Sequence, residues 1–206
     1  MIEVRIEVVL IPIIAYLLGS IPFGFLIVKA RGGDIRKTGS GNIGAANVAR
    51  NAGAAAGLLT LFLDAAKGYA AVWIAHRWTH GDMRWMMTAA VLAVLGHMFP
   101  VWLRFKGGKG VATGLGVFLG ICAPAAGAAL VLWILIVVFW RYSSLGSIIA
   151  TVALPILVYL LYAPRHAPPL YVTLGTITIS LLILVKHRPN IERLIAGNEN
   201  RMKFGR

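Results

Sequence analysis

Three short segments contain the residue types in this sequence that are best suited to chemistry. Residues 39–42 read Gly-Ser-Gly-Asn, residues 106–110 read Lys-Gly-Gly-Lys-Gly, and residues 187–190 read His-Arg-Pro-Asn. Glycine lets backbone N–H groups approach a bound phosphate closely, and Lys and Arg supply positive charge. The segments therefore indicate an anion site. Because the sequence contains no G-x-x-x-x-G-K-[ST] nucleotide loop, we expect the phosphate to belong to a small substrate.

The first segment could present several donors to phosphate oxygens. Ser40 offers a hydroxyl, and Gly41 and Asn42 offer backbone N–H groups. Asn47 and Arg50 follow at spacings that suit one face of a short amphipathic helix, so both could point toward the same anion.

The second and third segments each add a helix end or a helix face. Lys109 lies between glycines just before a predicted helix start, where the positive end of the helix adds to the charge of the ammonium group. His187, Asn190 and Arg193 follow one another at intervals of three residues, which predicts one stripe on a helix.

The rest of the chain is apolar enough to predict a membrane protein. Hydrophobic residues make up 59% of the 206 residues and charged residues only 13%. Runs of about 18 or more apolar residues are long enough to cross about 30 Å of hydrocarbon. We therefore expect an all-α integral membrane protein, a compact bundle of about seven transmembrane helices, in which residues 1–206 form a single domain. The predicted spans are 6–28, 53–75, 84–103, 110–122, 124–140, 144–163 and 169–185.

The distribution of basic residues decides between seven spans and six. Residues 110–140 could form one helix or two short helices broken near Pro124. With the break, 15 of the 20 Lys and Arg residues lie on one side, and Arg5, Arg77, Arg84 and Arg165 lie on the other. The positive-inside rule then favours seven spans, with the N-terminus outside and the C-terminus in the cytoplasm. All three segments would face the cytoplasm.

The net charge of +13 is explained by anionic lipid headgroups, and no nucleic acid partner is expected.

Three longer motifs carry a resemblance to a known family. They are GSGNIGAANVAR at 39–50, GHMFPVWLRFKGGKGVAT at 96–113 and HRPNIERLIAGNE at 187–199. These motifs, together with the element Asp64-x-x-Lys67-Gly68, resemble the signature regions of the bacterial membrane glycerol-3-phosphate acyltransferases that use acyl phosphate as donor. The likeness covers essentially the whole chain.

The resemblance implies an enzyme of the bacterial inner membrane with its active site on the cytoplasmic face. It would transfer a fatty acyl group from acyl phosphate to the sn-1 hydroxyl of glycerol 3-phosphate, giving lysophosphatidic acid and phosphate, as the first acylation step of phospholipid synthesis. The catalytic positions implied are Ser40, Arg50, Lys109, His187 and Asn190. The other substrate-binding positions implied are Gly41, Asn42, Asn47, Lys106, Gly107, Gly108, Gly110, Thr113, Arg193 and Glu199.

Beyond its two substrates and membrane lipids, the protein is expected to need no cofactor and no metal and to act as a monomer. Two positions depart from the family pattern. Ala46 stands where a threonine is usual, and Arg201 stands where a lysine is usual. The alanine side chain cannot make the hydrogen bond that a threonine hydroxyl would offer at position 46.

The expected chemistry agrees with the residues available. Phosphate is a good leaving group, so the protein need not protonate it when the acyl phosphate reacts. Neither an acyl-enzyme nor a Ser-His-Asp arrangement is therefore required. The reaction needs neutralised phosphates, a positioned hydroxyl and stabilisation of the developing oxyanion. The general base could be His187, His97 or the phosphate of the substrate itself.

Other functions and other roles remain open at this stage. His97 could make a buried structural hydrogen bond instead of acting in the site, and Asp64 and Lys67, one helical turn apart, favour an ion pair that lowers the cost of burying both charges. A transporter for an anionic solute would use a similar basic cradle, but the basic groups are predicted at one membrane face and not at the midplane. A metal-dependent phosphotransferase would need clustered carboxylates, whereas Asp34, Asp64 and Asp82 are scattered in the sequence.

Overall fold

The computed structural model describes residues 6–162 and 167–202, which form ten α-helices. Four basic residues that enter the charge comparison lie outside the described residues: Arg5, Arg165, Lys203 and Arg206. The chain divides into two compact units, residues 1–121 and residues 122–206, here called the first and second units.

The first unit contains six α-helices. They are α1 (Ile6–Ser20), α2 (Phe23–Lys29), α3 (Ala45–Ala52), α4 (Ala54–Trp78), α5 (Met83–Met98) and α6 (Val111–Ile121). Short turns of 3-10 helix occur at Ile35–Lys37 and Val101–Leu103. The predicted span 6–28 is interrupted, because Pro22 has no N–H to continue the helical hydrogen bonds and adopts φ −93° and ψ 70°.

Glycines bring the long helices of the first unit into backbone contact. A Cβ atom added at Gly19 of α1 would meet the carbonyl group of Ala93 in α5, and one added at Gly116 of α6 would meet the carbonyl group of Ala65 in α4. Small residues at such contacts let helices approach closely, which is how transmembrane helices gain van der Waals packing. The α1–α5 and α4–α6 pairs are therefore held at short range, and α4 and α5 also carry the buried polar residues described below.

The second unit contains four α-helices: α7 (Ala123–Trp140), α8 (Ser143–Leu161), α9 (Leu170–Lys186) and α10 (Arg188–Ile195). Arg141, in a left-handed conformation with φ 64°, makes the tight turn between α7 and α8. The indole Nε1 of Trp133 donates to the Ser147 hydroxyl at 3.2 Å and ties the two helices together. Between α9 and α10 the chain bends by 54° at His187.

Five segments among the described residues are long and apolar enough to cross a membrane, and the bent pair α9–α10 is a sixth if it is counted as one span. The five are Val9–Lys29, Ala54–Trp78, Met83–Leu103, Ala123–Trp140 and Ser143–Leu161. The break predicted near Pro124 is confirmed, because α6 ends at Ile121 and α7 begins at Ala123. At 11 residues, α6 is shorter than these spans, so the count of seven stays a prediction.

Candidate active site

A buried asparagine organises the first glycine-rich segment. Asn47 lies on α3 and is 2% exposed. Its Nδ2 donates to the carbonyl oxygens of Thr38 at 3.1 Å and Asn42 at 2.9 Å, and its Oδ1 accepts from the Ser40 backbone N–H at 3.1 Å. One side chain thus fixes the loop from both sides. Whether Asn47 also contacts a substrate, as the resemblance implies, stays a prediction.

The loop around Ser40 needs glycine for its shape. Gly39 and Gly41 have φ 55° and 69°, in the left-handed region that other residues rarely adopt. A Cβ atom at Gly39 would also meet the Oδ1 atom of Asn47. Ser40 is exposed between the two glycines, and Arg50 is exposed in the last turn of α3. The structure therefore presents both predicted catalytic residues of this motif at the surface of the first unit.

Asp34, six residues before Ser40 in the chain, is already paired. Asp34 accepts hydrogen bonds from the Arg36 side chain at 2.9 and 2.8 Å, and this pairing lowers the pKa of Asp34 to about 2. Its carboxylate is therefore ionised and partly offset by Arg36 over the physiological pH range.

The second glycine-rich segment folds back onto the end of α5. The Gly107 N–H donates to the Met98 carbonyl at 3.2 Å, and the Gly108 N–H donates to the His97 carbonyl at 3.0 Å. Lys109 is half-buried next to this turn, two residues before α6 begins. The predicted placement of Lys109 just before a helix start is confirmed.

The other predicted positions of this segment lie in different environments. Lys106 is exposed, and Gly110 has a left-handed backbone with φ 86°. Thr113 is fully buried in α6, where its carbonyl oxygen lies against Gly68 of α4. Thr113 thus contributes to helix packing, and its predicted contact with substrate is untested.

An apolar cluster connects the first two motifs within the first unit. Ile43 and Val48 of the first motif share this cluster with Leu103, just before the second glycine-rich segment. All three side chains are at most 8% exposed. Packing therefore links the loop around Ser40 to the chain that leads to Lys109.

Under the second segment lies a cluster of three buried ionisable residues. The Lys67 Nζ is 2.7 Å from Asp64 Oδ1 and 3.0 Å from His97 Nδ1, and His97 Nδ1 is 3.6 Å from the same carboxylate oxygen. The predicted ion pair between Asp64 and Lys67 is confirmed. The sequence left the role of His97 open, and the structure places its ring beside this pair.

In the second unit, His187 lies at the bend between α9 and α10 and is 2% exposed. Its Nδ1 is 2.8 Å from the Ile183 carbonyl oxygen, which can only accept, so Nδ1 carries a proton. In the neutral ring, Nε2 then holds the lone pair. His187 is therefore set up with Nε2 as an acceptor, the form that a general base requires.

Glu199 gathers the polar side chains of the third motif. Its carboxylate accepts hydrogen bonds from Asn190 Nδ2 at 2.7 Å, Arg193 Nε at 2.7 Å and the Ser144 hydroxyl at 2.9 Å. Burial alone would raise the pKa of Glu199, but these hydrogen bonds outweigh it and hold the pKa below the usual range of a glutamate. Four residues from α8, α10 and the following loop are thereby fixed together.

Ser144 was not singled out in the sequence, because it lies 55 residues before Glu199. The only signal was a pair of serines at the start of an otherwise apolar helix. The substrate contacts implied for Arg193 and Glu199 stay predictions, since what the structure shows is their contact with each other.

We expect Glu199→Gln to lower the thermal unfolding midpoint and to change its pH dependence. A depressed pKa in the folded state stabilises the fold in full above the unfolded pKa of about 4.3, and this stabilisation decreases below that value until the pH has fallen through the lower pKa of the folded state. The difference in midpoint between the two proteins should therefore be larger at pH 7 than at pH 4 when both are scanned in the same detergent. An equal difference at both pH values would contradict a role for the Glu199 charge.

No group of three or more His, Cys, Asp and Glu residues suited to holding a metal occurs in residues 6–162 and 167–202.

Comparison with known proteins gives the family directly. The sequence model of the glycerol-3-phosphate acyltransferase family matches residues 9–197. The chain belongs to this family. The glycerol-3-phosphate acyltransferase of Geotalea daltonii is 49% identical over 96% of this chain and 98% of its own length. That of Mesorhizobium japonicum is 47% identical over 92% of this chain and 93% of its own length.

Solved structures of the family have the same fold. A crystal structure of PlsY (YgiH), an integral membrane glycerol 3-phosphate acyltransferase, in its glycerol 3-phosphate form is 41% identical to this chain and aligns with a TM-score of 0.89. The alignment covers 95% of this chain and 96% of that one. The lysophosphatidic acid form aligns with a TM-score of 0.86. The resemblance seen in the three motifs is confirmed, and the chain is a multi-pass integral membrane protein of this family.

Proposed function

We propose that this protein transfers a fatty acyl group from acyl phosphate to the sn-1 hydroxyl of glycerol 3-phosphate, giving lysophosphatidic acid and phosphate. The observation that carries the proposal is its similarity to PlsY over 95% of the chain, because that protein has been crystallised in a glycerol 3-phosphate form and a lysophosphatidic acid form. The choice of acyl phosphate as donor rests on the three motifs. The reaction is the first acylation step of phospholipid synthesis.

The transfer is a direct displacement at the carbonyl carbon of the acyl phosphate. The sn-1 hydroxyl oxygen forms the new ester bond, the bond from the carbonyl carbon to the bridging oxygen breaks, and its electron pair leaves with phosphate. The hydroxyl proton passes to a base. Because phosphate is a good leaving group, the protein has to position the reactants and offset negative charge, and it need not form a covalent intermediate.

In the first unit, the proposed role of the glycine-rich segments is to bind phosphate. Arg50 and Lys109 supply charge, and Ser40 supplies a hydroxyl beside the left-handed turn at Gly39 and Gly41. Hydrogen bonds between Asn47 and the backbone hold this turn in shape, so little ordering remains to be done when a phosphate binds.

In the second unit, the proposed role of His187 and Asn190 is to handle the acceptor hydroxyl. The Asn190 amide nitrogen donates to Glu199, which can only accept, so the amide orientation is fixed with Oδ1 turned away from that carboxylate. An oxygen in that position suits a hydroxyl donor. The proton of the hydroxyl is accepted either by Nε2 of His187 or by the phosphate of the substrate. The same bonds form and break in the acyl transfer with either base.

The topology proposed for this enzyme has seven spans, with α6 counted as one, the N-terminus outside and the C-terminus in the cytoplasm. Its support is the 15 basic residues assigned to one side and the break at Cys122. The active site then faces the cytoplasm from the inner membrane, and the protein acts as a monomer.

Cysteine labelling tests this topology. Cysteines placed at Lys37, Lys106 and Met202 of a Cys122→Ala protein should react only from the cytoplasmic side, and one at Thr79 only from outside. Labelling of the cysteine at position 202 from outside would refute this topology.

An assay of phosphate release tests the proposed function. The purified protein in detergent or lipidic phase is expected to release phosphate only when acyl phosphate and glycerol 3-phosphate are both present, with little activity from acyl coenzyme A. The short loops of the chain hold no nucleotide motif that would bind the coenzyme.

The same assay tests two further points. Turnover should also persist when a metal chelator is added. A comparable kcat/KM with the coenzyme thioester would exclude acyl phosphate as the specific donor, and uptake of a labelled anion into vesicles without chemistry would instead indicate a transporter.

A further inference from the structure

The buried cluster of Asp64, Lys67 and His97 contains more than a neutral ion pair. All three residues are at most 4% exposed, and they lie in the helices α4 and α5. Charged groups inside a membrane protein are costly, and those that occur are usually functional. An Asp–Lys pair by itself would neutralise the charge. The imidazole ring at 3.0 Å from the ammonium therefore calls for a separate explanation.

Lys67 directs its hydrogen bonds to two acceptors. Its Nζ donates to the Ile21 carbonyl at 2.7 Å, in the interruption between α1 and α2, and lies 3.0 Å from His97 Nδ1. An ammonium group has donors and no lone pair, so His97 Nδ1 is the acceptor in this contact. The proton of the neutral ring then resides on Nε2. Asp64 Oδ1 lies 2.7 Å from the same ammonium group.

The Nε2 edge of His97 lies against the glycine turn of the second motif. A Cβ atom added at Gly108 would meet Nε2 itself, with Cε1 at 2.8 Å and Cδ2 at 3.0 Å. The backbone of the same turn is tied to α5, since Gly107 donates to the Met98 carbonyl and Gly108 to the His97 carbonyl. His97 thus supports the turn at Gly108 with its ring and its carbonyl oxygen. Gly108 is the residue directly before Lys109.

We propose that His97, held by Lys67 and Asp64 with its proton on Nε2, is a positioning residue for the turn Gly107–Gly108–Lys109. The ring determines where the backbone N–H groups of the turn and the Lys109 ammonium meet a substrate phosphate. The inference deepens the proposed function and rests on it, because it takes this turn to bind the phosphate of a substrate. It assigns a task to three residues that lie outside the segments 39–42, 106–110 and 187–190.

Two substitutions of His97 separate the two edges of the ring. His97→Asn keeps a polar group near the Nδ1 position, which Lys67 contacts, and removes the Nε2 edge. His97→Gln is longer and can place its amide nitrogen near the Nε2 position. We expect His97→Asn to raise the KM for at least one of the two phosphate-bearing substrates about tenfold, with a smaller change in kcat, and His97→Gln to recover most of that loss. A role limited to holding Lys67 would give the opposite order.

A double substitution tests the part played by the ion pair. Replacing Lys67 alone would leave a buried, unpaired carboxylate and risk loss of the fold. The double variant Asp64→Leu, Lys67→Met removes both charges and is expected to fold. It should raise the same KM as His97→Asn, because the ammonium group that contacts the Nδ1 edge of His97 is lost. The control is Thr60→Val, which removes a buried hydroxyl of α4 that donates to the helix carbonyl of Ala56, and both KM values should stay within about twofold.

The outcomes distinguish this inference from the proposed function. Wild-type turnover with both substrates tests the proposed function first. The stabilisation of each variant by glycerol 3-phosphate and by inorganic phosphate, measured as a shift in unfolding midpoint, tests the turn even without turnover. Weaker phosphate stabilisation or a selectively raised KM in His97→Asn and the double variant supports the inference. Unchanged KM values and unchanged phosphate stabilisation in both, or losses that simply follow the unfolding midpoint of the free protein, would overturn it.

Discussion

Lys109→Ala and Arg50→Ala should each lower kcat/KM about tenfold to a hundredfold, or further where the cation also stabilises the transition state. Each substitution removes a charge-assisted hydrogen bond to a phosphate, and such bonds are the stronger class in proteins. Arg50 is exposed at the end of α3, and Lys109 follows the turn fixed to α5, so neither substitution opens a cavity in the core. The measurement is steady-state kinetics on both substrates with protein of unchanged unfolding midpoint.

The matched control for these two substitutions is Lys37→Ala. Lys37 is an exposed cation three residues before Ser40, and no role is proposed for it. Its loss changes the net charge by the same amount and should leave kcat/KM within about twofold. If Lys109→Ala were as active as Lys37→Ala, the glycine-rich segments could not be the phosphate site.

Ser40→Ala is expected to lose less than either cation. The backbone N–H of Ser40 bonds to Asn47, so the shape of the turn does not depend on the hydroxyl. The loss of one neutral hydrogen bond costs about 0.5 to 1.5 kcal/mol, which is roughly a threefold to tenfold effect.

The second large effect is expected for His187→Gln, and its size distinguishes two mechanisms. The glutamine retains hydrogen-bonding capacity but cannot accept and release a proton at neutral pH. If Nε2 of His187 is the general base, kcat should fall by roughly 10²- to 10⁴-fold while substrate binding is preserved. If the substrate phosphate is the base, measurable turnover and a similar pH profile should remain.

The check on His187→Gln is the binding of glycerol 3-phosphate, followed by its effect on the unfolding midpoint. His187 is buried at the bend between α9 and α10, so a misfolded variant would lose stability and binding together. Unaltered kcat in a well-folded variant would show that the histidine takes no part in the reaction.

The sequence was sufficient for the parts of the fold that depend on local composition. The break near Pro124, the helix start after Lys109 and the pair Asp64–Lys67 all follow from residues close together in the chain. The interruption at Pro22 was missed because the apolar residues on both sides continue through it, and hydropathy alone does not register a missing backbone donor.

Contacts between distant residues could not be predicted in the same way. Ser144 meets Glu199 across 55 residues, and His97 meets the glycine turn only because the chain reverses after α5. The backbone contacts that the Asn47 amide makes with its own loop were not predicted either, and its predicted contact with a substrate stays a prediction. Composition indicates that such polar residues are needed, but tertiary packing decides whether they serve a ligand or the protein.

The short length of α6 has a consequence for where the two substrates can meet. A helix of 11 residues rises only about 16 Å, roughly half the thickness of the hydrocarbon layer. In the proposed topology α6 counts as a span, and local thinning of the bilayer is one response to such a mismatch, which draws the polar boundary inward. With that response, the turn that carries Lys109 lies at a depth that water and lipid tails both reach. The water-soluble glycerol phosphate and the lipid-soluble acyl chain of the proposed reaction could then meet there, each remaining in its own phase.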